Sequence, residues 1–245
     1  MNEIHVGALY WTKWVCSYVL AEHRSKSQTL DKADFNRAFY DIGFHEGLFA
    51  AEILHLGVPI YGWDADPHKV KKLREQVDFP VFSMGLSNAQ GRARLFRYSD
   101  DSFNTLFKRD TYDLDRYSLN EFSYIDVVLD TLEHCVETES LLPPFCIKID
   151  VEGAELPALQ GGASLLKKYL PIIVFEQSYE NTKNAGYTRE ELRGYIEQFG
   201  YLLFGIERDN IDTLTYRVKD RSTWNIIAVH ESNEALCKKL HARIE

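Results

Sequence analysis

The sequence predicts an α/β fold with a doubly wound, mostly parallel sheet of seven strands that closes with a C-terminal antiparallel hairpin. Short apolar runs alternate with helical patterns from residue 36 onward, which is typical of a parallel sheet covered by helices on both faces. A glycine turn joins the first of these runs directly to a helix. The run Pro171–Glu176 is almost continuously apolar, as expected for a strand that is buried on both sides.

An N-terminal helix is predicted before the sheet, and we assign residues 1–35 to this helical extension and residues 36–245 to the main domain. Lys13 interrupts its apolar run Val6–Leu20 and no small-residue cleavage pattern follows, so a signal peptide is not expected. The helix is expected to pack on the domain, to cover a cleft or to contact a second subunit. Core packing is favoured over an aromatic lid or a lipid-facing stripe for its aromatic side chains, Tyr10, Trp11 and Trp14.

The main domain supplies the remaining elements in order. Strands are predicted at 36–42, 58–63, 81–85, 143–150, 171–176, 201–206 and 224–229. Helices are predicted at 47–56, 66–77, 156–162, 164–169 and 188–199. Two helix starts carry specific signals, because Asp66 can cap a helix that begins at Pro67, and Thr188–Glu191 fits a capping box.

The alternation of strands and helices breaks at about 88–144, which we interpret as an insert. Arg92–Tyr98 alternates polar and apolar side chains, which predicts a half-exposed strand, and Ile125–Leu129 returns to strand character. Between them, Ser99–Ser123 is too polar for a core and too long for a tight connection. Long loops of this kind are usually functional or disordered, so we expect this segment to shape a binding site.

Composition and charge exclude several classes of function. The 245 residues carry a net charge of −9, which argues against a broad nucleic-acid footprint. No run of eighteen apolar residues exists, so no membrane span is expected. The four cysteines form no C-x-x-C pair, which favours reduced thiols in a cytoplasmic protein over structural zinc or a disulfide framework.

The motif Asp41-x-Gly43-x-x-x-Gly47 points to a nucleoside-bearing cofactor. It lies between an apolar strand and a helix, where a ligand can approach bare backbone at the helix N-terminus. Asp64 ends the next strand, and a carboxylate there can accept both hydroxyls of a ribose. The alternative is a plain strand–turn–helix whose glycines serve geometry alone.

The charge of Asp41 favours one cofactor over others. A dinucleotide site normally has glycine at this position, to bring a pyrophosphate onto the helix. A carboxylate repels a pyrophosphate but suits the ammonium and sulfonium of S-adenosylmethionine. The motif therefore favours S-adenosylmethionine over NAD or FAD.

The chain resembles the FkbM-family methyltransferases over about residues 38 to 176. The strongest element is Ile147–Leu156, followed by Leu159, Gly161 and the Pro171–Glu176 strand. Further matching segments are Tyr40–Gly43, Gly47, Trp63–Pro67, Ser83–Ser87 and Leu129–Asp130. Two residues depart from the family pattern: His45 stands where the family often has Asn, and Asp64 where it usually has Glu.

The resemblance implies a Rossmann-like class I methyltransferase fold and methylation of a hydroxyl on a sugar or a small molecule. It also implies S-adenosylmethionine as cofactor, with these residues as its binding set: Asp41, Gly43, Phe44, Gly47, Asp64, Ala65 and Leu86.

Three residues are candidates for catalysis. Asp150 and Glu152 follow the fourth core strand. Asp150 could hold the cofactor's ammonium or take the acceptor's proton, and Glu152 could orient the acceptor or help bind a cation; the alternative is that they cap the following helix. His45 is a second candidate base, or a turn histidine bonded to backbone. Glu176 could also reach the cleft, but a solvated rim position is favoured. No metal site is expected, because the cluster Glu133–Glu137 has no standard ligand spacing.

The sequence leaves two other functions open. One is a non-catalytic module that keeps the fold and binds a nucleoside or a partner. The other is an NAD-dependent oxidoreductase, which Asp41 and the missing third glycine disfavour. The expected partner is a small-molecule or glycan acceptor, without nucleic acid, and a homo-oligomer is possible.

Overall fold

The computed structural model describes residues 3–26, 36–206, 214–216 and 223–244. Part of the predicted extension 1–35 and most of the segment between the last two predicted strands lie outside these residues. The boundary predicted near residue 35 also lies outside the described residues. The division into an extension and a domain therefore stays a prediction. In the described residues, no helix is long and apolar enough to cross a membrane.

The strands confirm an α/β architecture on a mostly parallel sheet. They are β1 (Ala38–Ile42), β2 (Ile60–Asp64), β3 (Val81–Ser83), β4 (Gly85–Leu86), β5 (Gly91–Tyr98), β6 (Glu121–Asp130), β7 (Pro144–Ile149), β8 (Ile172–Glu176), β9 (Tyr201–Ile206), β10 (Leu214–Tyr216) and β11 (Asn225–His230). The main sheet has the order β10-β9-β11-β8-β7-β1-β2-β3. Its five strands β8, β7, β1, β2 and β3 pair parallel with one another. The pairings β8–β11, β11–β9 and β9–β10 are antiparallel.

Within the described residues, the main sheet has eight strands, not the predicted seven. β9 and β11 pair antiparallel, as the predicted hairpin requires. The additional strand is β10, which lies between them in sequence and pairs with the outer side of β9.

Helices cover both faces of the main sheet. The helices of the described residues are α1 (Glu3–Lys26), α2 (Leu48–Leu54), α3 (Pro67–Leu73), α4 (Thr111–Arg116), α5 (Leu132–Thr138), α6 (Glu155–Gln160), α7 (Ala163–Tyr169), α8 (Tyr179–Ala185), α9 (Arg189–Glu197) and α10 (Glu234–His241). Helices α1, α2, α3 and α10 contribute to one buried cluster, and α5, α6, α7 and α9 to another. Phe39 and Tyr40, neighbours in β1, belong to opposite clusters, because successive side chains of a strand point to opposite faces.

The two predicted helix starts are confirmed. The Asp66 side chain accepts the main-chain N–H of His68, and Pro67 is the first residue of α3. Thr188 and Glu191 form the predicted capping box at the start of α9. These caps satisfy N–H groups that have no partner within the helix.

The N-terminal helix α1 packs on the main sheet through α2, α10 and β11. Trp11 is fully buried, whereas Tyr10, the residue before it, is 39% exposed. Core packing therefore holds for Trp11 and does not hold for Tyr10. An ion pair between Lys13 and Glu52 (2.7 Å) joins α1 to α2 at the surface.

The insert forms a second sheet with the order β4-β6-β5. β5 and β6 confirm the two predicted strands, but the polar segment between them is more ordered than a loop. It contains a 3₁₀ turn (Asp101–Phe103) and the helix α4. It also buries Thr105 and Arg109 to 2% and 3% exposure, so the prediction that it is too polar for a core is wrong for these side chains.

Candidate active site

The candidate site lies at the carboxyl edge of the parallel strands. Gly43 follows β1, Asp64 ends β2, Asp150 follows β7 and Glu176 ends β8. Parallel strands bring these ends to one edge, where folds of this class bind their ligands. The cleft there has two arms that share Gly43, His45, Ser102, Asp150 and Glu152.

The turn after β1 depends on glycine at two positions. Gly43 has φ 79°, and a Cβ atom there would lie 1.8 Å from the carbonyl oxygen of Asp150. Gly47 has φ 72°, and a Cβ there would lie 2.6 Å from the ring of Phe44. His45 also has a positive φ of 47°, a conformation that costs a non-glycine residue about 1–2 kcal/mol. The turn is therefore held in a strained shape beside the cleft, as is common at functional sites.

Asp41 does not reach the cleft. It is fully buried, its Oδ1 lies 3.3 Å from Lys148 Nζ, and its Oδ2 accepts the N–H of Ala50. Burial raises the pKa of Asp41 to about 6, against the opposing charge of Lys148. Lys148 also donates to the carbonyl of Gly43 (2.7 Å). The pair supports the glycine turn from below, so the expectation that Asp41 meets a cationic ligand directly is not supported by its position.

The narrow arm carries the features expected of a nucleoside site. Asp64, Ala65 and Leu86 line it. Asp64 Oδ2 accepts the N–H of His45 (3.0 Å) and Oδ1 that of Asp66 (2.8 Å). Since a carboxylate oxygen can accept two hydrogen bonds, each oxygen retains capacity for one hydroxyl. Burial raises the pKa of Asp64.

A strap of residues Asp100–Asn104 crosses between the two arms and contributes to the lining of both. Asp101 at its tip lies 3.1 Å from His45 Nε2 and 3.2 Å from Lys69 Nζ. The narrow arm encloses about 80 Å³, well below the ~300–1,000 Å³ of typical ligand pockets. A nucleoside therefore requires the strap to move.

The wide arm encloses about 480 Å³, within the usual range for a small-molecule site. Three carboxylates, Asp150, Glu152 and Glu176, meet at its floor with one oxygen of each within 4.8 Å of the others. We call them the acidic triad. Glu176, expected at a solvated rim, thus belongs to the site. A cluster of this kind could also hold a cation, as the sequence suggested for Glu152; the expectation of no metal site was argued from a different cluster, Glu133–Glu137.

The acidic triad shifts the protonation of its members. Burial, with Asp150 as a further cause, raises the pKa of Glu176 well above its usual value. Burial likewise raises the pKa of Glu152 to about 7, although Arg109 opposes this. Carboxyls with raised pKa values in a cleft are characteristic of functional sites.

Glu152 is held by two residues that sequence reasoning missed. Its Oε2 accepts from Arg109 Nη2 (2.5 Å) and from Asn181 Nδ2 (2.8 Å), and Asn181 Oδ1 accepts from Arg109 Nη1 (2.9 Å). Glu152 itself has φ 53°. Ser178 caps the unpredicted helix α8 that presents Asn181, and Gly186 ends it; this Ser-to-Gly pattern was the available signal. No sequence signal marked Arg109 as a site residue, because it lies within a polar segment.

Eight of the ten predicted site residues line the cleft: Gly43, Phe44, His45, Asp64, Ala65, Leu86, Asp150 and Glu152. Phe44 is only 2% exposed, so its ring is buried and little of the residue is open to the cleft. Gly47 lines neither arm and serves as the left-handed N-cap of α2. Asp41 is the other residue outside the lining.

The residues of the cleft fit S-adenosylmethionine. Asp64 retains two acceptor sites, and the triad supplies negative charge near the turn. The family model of the methyltransferase FkbM domain matches residues 41–203, which is more than half of the chain. The chain belongs to the FkbM methyltransferase family. FkbM membership implies S-adenosylmethionine as cofactor, and the fold is the Rossmann-like methyltransferase fold.

Several solved structures are similar to this FkbM-family chain. Methyltransferase FkbM from Methylobacillus flagellatus KT is 13% identical with a TM-score of 0.48, over 80% of this chain and 44% of that protein. This chain thus spans less than half of that protein's length. A TehB-like SAM-dependent methyltransferase from Corynebacterium glutamicum ATCC 13032 Kitasato is 11% identical with a TM-score of 0.41, over 80% of both chains.

A third similar structure is the precorrin-6y C5,15-methyltransferase from Geobacter metallireducens GS-15. It is 13% identical with a TM-score of 0.40, over 87% of both chains. A search of curated protein sequences finds no match.

Proposed function

We propose that this chain transfers a methyl group from S-adenosylmethionine to a hydroxyl of a small molecule or a glycan. The observation that carries the proposal is the acidic triad, which lies in the wide arm next to the glycine turn. An ionised carboxylate only accepts hydrogen bonds, so an acceptor that meets the ionised form of Glu152, whose pKa is about 7, must bring a donor, as a hydroxylated molecule does.

Residues of both arms would hold the cofactor. In the narrow arm, Asp64 would accept hydrogen bonds from the ribose hydroxyls, and Ala65 and Leu86 would lie beside the base. Asp150 provides a carboxylate for the ammonium at the junction of the arms. When bound, S-adenosylmethionine supplies a methyl group on a strongly electrophilic sulfonium. The chain's own task is then to align the acceptor oxygen and to remove its proton.

Glu152 is the residue that we assign as general base. Its pKa of about 7 matches a neutral operating pH, and Arg109 and Asn181 fix one of its oxygens. With the cofactor bound, Glu152 would take the proton that the acceptor hydroxyl gives up on methylation. We assign His45 a role in holding the strap and not in catalysis, because its ring contacts Asp101 of the strap.

The rim of the wide arm supports a hydroxylated acceptor with an apolar face. Phe103, Tyr117 and Trp224 line it, and the rings of Phe103 and Tyr117 pack 5.1 Å apart. Aromatic side chains offer broad contact area around a few polar groups, which is the usual composition of a ligand site. The cytoplasmic location and the homo-oligomer suggested by the sequence stay predictions.

Calorimetric titration with S-adenosylhomocysteine tests the cofactor assignment. Asp64→Ala should weaken binding roughly 10- to 100-fold, because hydrogen bonds to a charged group are lost. Glu75→Ala, which removes an exposed carboxylate outside the cleft, should bind like the unaltered protein. Equal affinity of both variants would contradict the placement of the ribose.

A radiolabelled methyl-transfer assay against hydroxylated acceptors tests the catalytic assignment. Glu152→Gln should lower the transfer rate roughly 10²–10⁴-fold while leaving the affinity for S-adenosylhomocysteine nearly unchanged. Transfer to amines alone would refute O-methylation. Full activity of Glu152→Gln would refute the assignment of the base.

A further inference from the structure

Asn104, at the end of the strap, has a side-chain donor without an assigned role. Its Oδ1 accepts the main-chain N–H of Tyr98 (3.0 Å). Its Nδ2 is buried, and no hydrogen-bond acceptor lies within reach of it among the residues that the structure describes. Asn104 lines the narrow arm. A buried donor of this kind destabilises the protein until an acceptor reaches it.

The orientation of the Asn104 amide is fixed by its surroundings. A main-chain N–H can only donate, so the atom that faces Tyr98 must be the amide oxygen. The amide nitrogen is therefore the atom without a partner, in a side chain that lines the arm. Its two N–H groups lie in the plane of the amide and select a ligand atom with a lone pair.

The two hydroxyls on the strap side of the arm are already engaged, whereas the indole N–H of Trp63, which also lines the arm, is a second buried donor without a hydrogen-bond partner among the described residues. Ser102 Oγ donates to Asp100 (2.6 Å), and Thr105 Oγ1 donates to the carbonyl of Glu152 (2.6 Å). The apolar lining consists of Ala65, Met84, Leu86, Leu95 and Leu106. Such a lining suits a flat aromatic ring, which would then find the Asn104 donor at its edge.

Asn104 sits at the firm end of the strap. The next residue, Thr105, exchanges two main-chain hydrogen bonds with Phe96 of β5, of 2.8 and 3.2 Å. The tip at Asp101 is held to the rest of the cleft by its ion pairs with His45 and Lys69 and by a long hydrogen bond (3.5 Å) from Lys69 to its carbonyl. The tip can thus move for ligand entry while Asn104 keeps its place.

We propose that Asn104 Nδ2 donates a hydrogen bond to a ring nitrogen of the cofactor's adenine, and that Asn104 is thereby a determinant of base specificity. The inference rests on the proposed placement of the nucleoside in the narrow arm. Asn104 would thus contact the base from the predicted insert, whereas Asp64 and Asp150, the other proposed polar contacts of the cofactor, lie at the ends of main strands.

Calorimetric titration of the full chain with four ligands tests this inference. The ligands are S-adenosylhomocysteine and its 1-deaza, 3-deaza and 7-deaza analogues, each of which replaces one ring nitrogen by C–H. The unaltered protein should bind one of the three analogues about tenfold more weakly than S-adenosylhomocysteine, because one hydrogen bond is lost.

Asn104→Asp is the decisive variant. It keeps an oxygen for the N–H of Tyr98 and replaces the donor with an acceptor, so the strap should still fold. It should bind S-adenosylhomocysteine at least tenfold more weakly and should no longer distinguish it from that analogue. Asn88→Asp, at an exposed position outside the cleft, should retain the distinction.

Two results overturn the inference. One is that the unaltered protein binds all three analogues as tightly as S-adenosylhomocysteine. The other is that Asn104→Asp keeps the distinction. Asp64→Ala separates these from a failure of the placement, since it should weaken all four ligands equally. If Asp64→Ala weakens none of them, the nucleoside placement is wrong and the inference falls with it.

Discussion

Glu152 combines an uncommon backbone conformation with an uncommon protonation state. It has a positive φ, and its carboxylate is bound by Arg109, whose side chain is 2% exposed. A buried charge pair of this kind is strongly destabilised when one partner is removed. The pair therefore fixes both the direction of the carboxylate and its readiness to accept a proton.

Replacing Arg109 with Met should move the lower limb of the pH–rate profile upward by about one unit or more, because loss of the cation raises the pKa of Glu152 further. The rate at pH 7 should fall at least about fivefold, because the ionised fraction of Glu152 falls from about one half to below about one tenth. The measurement is kcat/KM against pH with an acceptor found by methyl transfer.

Two controls accompany the Arg109 variant. Arg109→Lys keeps the charge and should keep the limb close to its original position. Arg116→Met removes an arginine that is 42% exposed and ion-paired with Glu180, and it should not move the limb. A limb that stays in place in Arg109→Met would show that Glu152 is not the group that titrates.

The acidic triad should make the protein less stable as the pH rises. Glu152 has an ordinary pKa of 4.5 and a folded pKa of about 7, so the folded state binds more protons than the unfolded state between these values. The stability that this proton contributes is complete below pH 4.5 and is lost as the pH rises through about 7.

The free energy of unfolding should therefore fall by roughly 1–3 kcal/mol between pH 5 and pH 8. Glu176→Gln should flatten this decline, because it removes a second buried acid whose pKa is raised. Urea unfolding at several pH values measures it. Glu234→Gln changes a side chain that is 77% exposed and should leave the decline as it is.

Sequence reasoning located residues at the site better than it assigned their contacts. Asp64, Ala65 and Asp150 could be placed because strand ends of a parallel sheet share an edge. The partner of Asp41 could not, because Lys148 comes beside it only through the register of β1 against β7. Its charge was therefore assigned to the ligand, although a buried cation already neutralises it.

At the scale of elements, the strap lies between the two arms of the cleft and lines both of them. Its tip depends on Asp101, which is 61% exposed and bridges His45 and Lys69. Exposed ion pairs contribute only about 0–1 kcal/mol each. The strap is therefore closed by weak contacts that a ligand can displace.

Asp101→Ala should speed the association of S-adenosylmethionine by up to about thirtyfold, since the barrier falls by at most the ~2 kcal/mol of these two pairs. Stopped-flow fluorescence measures the rate. The free energy of unfolding should fall by no more than the same ~2 kcal/mol. Asp115→Ala, an exposed change on α4, should not alter the rate, and 1 M salt should reduce the difference. Equal rates at low salt would show that the strap does not limit entry.

The elements that sequence reasoning missed lie in the polar parts of the chain. The helix α8 buries Glu180, Asn181 and Thr182, so it lacks the apolar stripe that marks a helix. Arg109 is likewise buried by ionic and amide partners. Polar residues are buried when they are paired, and such pairing depends on contacts between distant segments.

At the scale of the whole molecule, the alternation of strands and helices was sufficient to predict the fold class but not the number of strands. β10 has three residues and lies at the sheet edge, which is too short for a periodic pattern. The N-terminal helix could be predicted, but its mean composition did not say which side faces the sheet. The structure shows Trp11, Val15 and Cys16 fully buried there.

Trp11→Ala should therefore lower the free energy of unfolding by about 3–5 kcal/mol, because it leaves a large cavity in the cluster shared by α1 and the main sheet. Tyr10→Ala is the matched control, since Tyr10 is 39% exposed and its loss should cost less than about 1 kcal/mol. Urea unfolding of both variants measures the difference. Similar small losses in both would mean that α1 is only loosely attached, and that Leu9 of α1, which lines the wide arm, is not a fixed part of the site.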